Sequence, residues 1–201
     1  MLSIEDFGQR VATLWSELRP TTRGLVERAL QTTNASSAAT RNAPYDPRAD
    51  LELSRLLSAL DDSVLETGAS LETDKSAQLR RVADTCAAVL QEKTQSAEVF
   101  TQLVRRAHQQ RDYGRIDTLA DALTARFAPS EICELARSDD PIVRALANEA
   151  MAQLPLSVLV GLLGDPIDSE IARAALQRQA TEFASEDARH ILNSLDHVDD
   201  L

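Results

Sequence analysis

Aromatic side chains are nearly missing from this chain: one Trp, two Tyr and four Phe stand among 201 residues. A core of stacked rings is thereby excluded, and burial has to come from Leu, Ala, Val and Ile. Glycine and proline are also few, six and seven, and they stand between periodic stretches. Cysteine is limited to Cys86 and Cys133, far apart and each at an apolar position of a helical pattern. With no CxxC pair they read as small buried hydrophobes, and neither a disulfide framework nor a zinc knuckle is expected. Long apolar runs are absent too. From Ile4 onwards the first segment is interrupted by Glu5, Asp6 and Arg10, so no secretory leader, no membrane partner and a cytoplasmic location are expected. Lysine has almost vanished, two against nineteen arginines, which suggests a GC-rich genome more than a mechanism. No GxSxG, P-loop or dinucleotide fingerprint occurs, and Ser, Cys and His never fall in a catalytic order. No catalytic residue, cofactor or metal ligand is therefore expected.

What the chain does have is helix-forming residues at helical spacing. Ala and Leu dominate the apolar set, which predicts an all-α fold. Ile4, Phe7, Val11, Leu14, Trp15 and Leu18 form one stripe of a first helix, capped near Ser3 and ended by Pro20. A second short helix spans about 22–32, and the two make an N-terminal helical hairpin or arm, residues 1–30. Residues 31–47 are polar, small and twice interrupted by proline, which reads as a flexible linker. A helical repeat domain follows over 48–195, then an acidic tail, 196–201. Within 48–195 the spacing predicts helices at about 48–60, 75–93, 96–110, 114–127, 129–138, 141–154, 155–163, 168–183 and 185–195. The stretch 61–74 is ambiguous, with Ser63 and Glu66 at capping-box spacing.

The net charge of −11 is uneven. Residues 1–60 carry seven basic and seven acidic side chains, whereas 129–201 carry five and fourteen. Such a surface repels a phosphate backbone, so nucleic acid is not an expected partner, and a protein with a basic surface is.

Two segments of this acidic region are versions of one helix–turn–helix unit. The first runs from Pro129 through Leu135-Ala136, turns at Asp139-Asp140-Pro141 and continues Ile142-Val143-Arg144-Ala145. The second opens at Pro155, turns at Gly164-Asp165-Pro166 and continues Ile171-Ala172-Arg173-Ala174. A repeat this short encloses no core alone and must stack on its neighbour. The segment Leu135–Ala147 resembles the turn and second helix of a HEAT-type repeat, and the likeness extends over roughly 115–195. Residues 96–127 are faintly similar to a tetratricopeptide unit. The HEAT resemblance implies stacked α-hairpins in an α-solenoid, with a turn Asp and an early-helix Arg bonding between repeats. Asp140 and Arg144 match that pattern; Asp165 and Arg173 match it less well, because Ile167-Asp168-Ser169-Glu170 is inserted.

Proteins of that kind mostly bind other proteins. The expected function is a non-catalytic interaction or scaffold module, with Glu134, Asp140, Glu149, Asp165, Asp168 and Glu170 facing a basic partner. The rival is an enzyme or small-ligand carrier similar to bilin-lyase-type or glycosylase-type HEAT proteins, whose pocket would draw on Arg105, His108, Arg111 or Tyr113. Trp15 reads as packing of the arm on the body, or as an anchor in a partner or a second copy, which makes residues 1–30 a candidate homo-oligomer contact. Glu186, His190 and His197 can share a helix face, but with no second cluster to supply further ligands a solvated face is the expected reading.

Overall fold

The computed structural model describes residues 4–31, 45–67 and 73–199. These form one 3-10 turn, Ile4–Phe7, and eleven α-helices, with no strand among the described residues. The all-α expectation is met. The chain divides into two compact units, Met1–Leu103 and Val104–Leu201.

The first unit holds α1 (Gln9–Glu17), α2 (Pro20–Gln31), α3 (Pro47–Thr67), α4 (Thr73–Lys93) and the start of α5 (Ala97–Gln109). The predicted first helix is broken at Gly8, whose φ of 114° is open to glycine and strained for other residues. Pro20 does end that stretch, and it also opens α2, where its missing N–H costs nothing. The cap expected at Ser3 and most of the expected linker lie outside the described residues.

The described residues of the expected arm, 4–30, fall in the same compact unit as 48–103. Helix α1 packs on α3, and α2 packs on α4 and α3. Burial drives this docking, since Val11, Trp15, Leu18 and Val26 are all enclosed together with Leu53, Leu56, Leu57 and Leu60 of α3. Polar clamps fix the register. Arg19 binds Glu52 at 2.6 Å and Asp46 at 2.8 Å, Arg10 binds Asp62 at 2.7 Å, and Arg81 donates to the Leu30 carbonyl at 3.0 Å.

Helix α3 runs straight through residues 61–67, the ambiguous stretch. Ser63 is no cap there; its hydroxyl donates back to the Ala59 carbonyl at 2.8 Å, the bond of a helix interior.

The second unit continues with α6 (Tyr113–Arg126), α7 (Pro129–Ala136), α8 (Pro141–Ala152), α9 (Leu156–Leu162), α10 (Ser169–Thr181) and α11 (Glu186–Asp199). Side-chain caps and prolines start several of them. Asp112 accepts the Arg115 N–H, and Asp140 accepts those of Ile142 and Val143, with Pro141 in the first turn of α8. Helix α7 packs on α8 and α9 on α10, while α6, α8 and α10 pack in succession. Buried Leu119, Leu123, Ile132, Leu135, Val143, Met151, Leu159 and Leu176 fill this core. No single helix among the described residues is long and apolar enough to cross a membrane.

Candidate functional site

Carboxylates of the second unit stand both at its turns and on its helices, and the structure sorts the six expected to face a partner into two kinds. Three of the six expected partner-facing acids are held by arginines of the same unit. Asp140 accepts from Arg105 of α5 at 2.9 Å, Asp168 from Arg137 of the α7–α8 turn at 2.5 Å, and Glu149 of α8 from Arg178 of α10. The remaining three, Glu134, Asp165 and Glu170, are exposed.

The first two of these pairs follow one rule. An arginine, inside α5 in one case and just after α7 in the other, reaches the acid that precedes the helix three further along the chain, α5 to α8 and α7 to α10. The HEAT resemblance had named Arg144 and Arg173 instead. Arg144 folds back onto its own turn, donating to the Ser138 carbonyl at 2.7 Å. Arg173 is exposed and near the start of α10. Asp165 does not bridge helices; it organises its own loop.

Electrostatics follow from this geometry. Burial alone would raise the Asp140 carboxyl, yet hydrogen bonds from Arg105 and from the Val143 and Ile142 N–H groups outweigh it and hold the group below its ordinary value. Glu149 is lowered by hydrogen bonds from Arg178 and Gln153. Cys133 behaves oppositely: burial, aided by the nearby Asp168 charge, pushes its thiol up to about 11. A buried thiol of that basicity is a poor nucleophile, as is expected of a packing residue. Cys86 is likewise buried.

The loop between α9 and α10 gathers these features. Asp165 accepts the Ile167 N–H on its carboxylate at 2.8 Å, and its carbonyl accepts the N–H groups of Asp168 and Ser169 at 3.2 and 2.9 Å. Arg137 then reaches across from the neighbouring turn and donates to the Ile167 carbonyl at 3.3 Å as well as to Asp168. Both backbone polar groups of Ile167 are thus engaged, while its side chain is 70% exposed. An apolar side chain stands in solvent beside the carboxylate that folds its loop, with exposed Glu170 in the first turn of the next helix. Ile167 was counted only as part of an insertion in the sequence; its pairing with Arg137 depends on stacking that no local pattern reveals.

The other candidates fall elsewhere. Trp15 is buried at 7% exposure in the first unit, with the Arg23 guanidinium 5.5 Å over its ring. Of the rival pocket residues, Arg105 is engaged by Asp140, Tyr113 is 61% exposed, and His108 and Arg111 also face solvent. No group of three His, Cys, Asp or Glu among the described residues is arranged to hold a metal ion, and the side chain of His197 lies outside them. A small cavity of about 140 Å³ between α6 and α8 is bordered by Asp121, Leu146, Glu149 and Gln153. Compared with protein-family models, curated proteins and solved structures, the chain matches none.

Proposed function

We propose that this protein is a non-catalytic interaction module whose second unit is a short HEAT-like α-solenoid, and that it meets a basic protein partner at the edge formed by its helix turns. The reading of a solenoid is supported by the serial packing of α6, α8 and α10 and by the arginine–aspartate pairing that recurs from one hairpin to the next. The observation that carries the binding reading is Ile167. Burying an exposed isoleucine gains roughly 1.5–3 kcal/mol, and a side chain whose backbone is already fixed loses little further entropy on docking. The exposed acids Glu134, Asp139 and Glu170, none with a partner among the described residues, supply the sign of the attraction.

The test compares wild type with Ile167→Ser in affinity purification followed by mass spectrometry, at about 0.05 M and about 0.5 M salt. Ile167 is solvent-facing, so the variant should keep wild-type stability to within about 0.5 kcal/mol. A partner that is lost from the variant and weakened by salt supports the reading. Partners recovered equally from both proteins at both salt concentrations reject it.

A further inference from the structure

One helix of the second unit departs from the pattern of its neighbours. Helix α9 reads Leu156-Ser157-Val158-Leu159-Val160-Gly161-Leu162, with a single hydroxyl and no charge on any side. A helix that is apolar all round belongs inside a core, yet only Leu159 of α9 is buried. Leu156, Val158, Leu162 and the following Leu163 are partly exposed, and Val160 is 44% exposed. Helix α7 opens the preceding hairpin and shows the ordinary arrangement. It encloses Ile132, Cys133, Leu135 and Ala136 and turns Ser130 and Glu134 to solvent. Counted from the opening prolines, Pro129 and Pro155, Val160 stands where α7 has Glu134.

The charge around this face has one sign. No basic residue occurs between Arg144 and Arg173, a stretch that contains Glu149, Asp165, Asp168 and Glu170. The nearby arginines are engaged. Arg137, which reaches the α9–α10 loop, is bound to Asp168. Helix α10, packed on α9, carries Arg178, bound to Glu149 and Glu182, and Arg173, which also has a partner. Asp165 and Glu170 meet no cation among the described residues. Over 129–195 the balance is five basic to eleven acidic side chains. That sign disfavours two possible covers. A second copy would set the same acids against each other, and the anionic surface of a bilayer would be repelled.

We infer that α9 seats a basic amphipathic helix of a partner protein. Its apolar face covers Leu156, Val160 and Leu163, which fall on one stripe by their spacing of four and three, and its lysines or arginines meet Asp165 and Glu170. The inference rests on the basic-partner reading above and adds the kind of segment that partner presents. Charge complementarity selects the basic flanks. A helix suits the seat because α9 offers no strand edge to an extended chain, whereas a second helix brings its own backbone hydrogen bonds and packs its side chains between those of α9. The seven residues of α9 span about 10 Å, or two turns of an occupant.

The probe is a fluorescein-labelled helical peptide of roughly fourteen residues, leucines on one face and lysines beside them, with a glutamate-for-lysine version as control. Anisotropy titration of the full-length protein at about 0.05 M salt should saturate with the lysine peptide and not with the control. Val160→Ser should weaken binding by about threefold or more, and Val160→Lys by about tenfold or more. Gly161→Lys repeats the charge test at a position where an added Cβ meets nothing within 4 Å. Both positions are exposed, and an unchanged thermal melt shows that each variant is folded. Ile167 lies beyond the helix, so Ile167→Ser should stay within about twofold of wild type. The proposal is overturned if the glutamate peptide binds as well, if the α9 variants bind like wild type, or if no saturation occurs up to about 1 mM. Binding lost with Ile167→Ser alone would put the peptide on the turn edge, which overturns the α9 seat and leaves the basic-partner reading standing. A wild-type dimer in sedimentation that Val160→Lys dissolves would give the face to a second copy. Binding to phosphatidylserine vesicles that Val160→Ser abolishes would give it to a membrane, and either result overturns the proposal.

Discussion

Asp140 does two jobs with one carboxylate. It caps α8 through Ile142 and Val143, and it ties α8 to α5 through Arg105. Substitutions divide the two contributions. Asp140→Asn keeps an acceptor for the cap and loses the ion pair; with Arg105 half-exposed, about 0.2–1 kcal/mol should be lost. Asp140→Ala loses both and should cost about 1–2 kcal/mol or somewhat more. The pH dependence has a definite sign. The folded-state carboxyl titrates below its ordinary value of 3.8, so the ion pair contributes above that value and is lost as pH falls through the lower, folded value. Thermal melts of wild type and Asp140→Asn should therefore differ near neutrality and converge in acid, once the pH has fallen through the lowered folded-state value. A gap that widened on acidification would contradict the pairing.

At the scale of elements, much was legible and the omissions have identifiable causes. Leu and Ala at three- and four-residue spacing located the helices, because a buried stripe writes its period into the sequence. Residues 61–67 were less readable: Ser63 and Glu66 have the spacing of a new helix start, yet α3 continues through them, with Asp62 meeting Arg10 and Ser63 bonding its own preceding turn. The partner of each turn aspartate was not readable either. Asp140 and Arg105 are bonded over thirty-five positions and Arg137 and Asp168 over thirty-one, separations set by how helices stack. Gln179 belongs to the same class. It is buried, and its side-chain amide donates to the carbonyls of Ala152 and Leu154 at 2.9 and 2.8 Å, joining α10 to the end of α8. Gln179→Leu leaves two enclosed carbonyls without this donor and should cost about 1–3 kcal/mol. Chemical denaturation reads the loss directly, and an unchanged midpoint would mean that water replaces the amide at no cost.

Across the whole molecule, charge and apolar contact have separate kinetic consequences. The balance of five basic and fourteen acidic side chains over 129–201 acts at a distance, before any contact forms, and so belongs to the association rate. In the docking proposed above, Ile167 would act only once water has been expelled from around it, and so would belong to the dissociation rate. The intramolecular pairs matter to this division, since Asp140, Glu149 and Asp168 already face arginines and present a partner with weaker dipoles. The unpaired Glu134, Asp139 and Glu170 should carry most of the steering. Neutralising them together, as Glu134→Gln, Asp139→Asn and Glu170→Gln, should slow association by about tenfold at low salt and leave dissociation within about twofold. Ile167→Ser should do the opposite, quickening dissociation by about tenfold with little change in association. Surface plasmon resonance with the purified partner separates the two rates. If the neutralised protein associates as fast as wild type at low salt, the acidic turn edge plays no part in steering, whatever the partner's own charge.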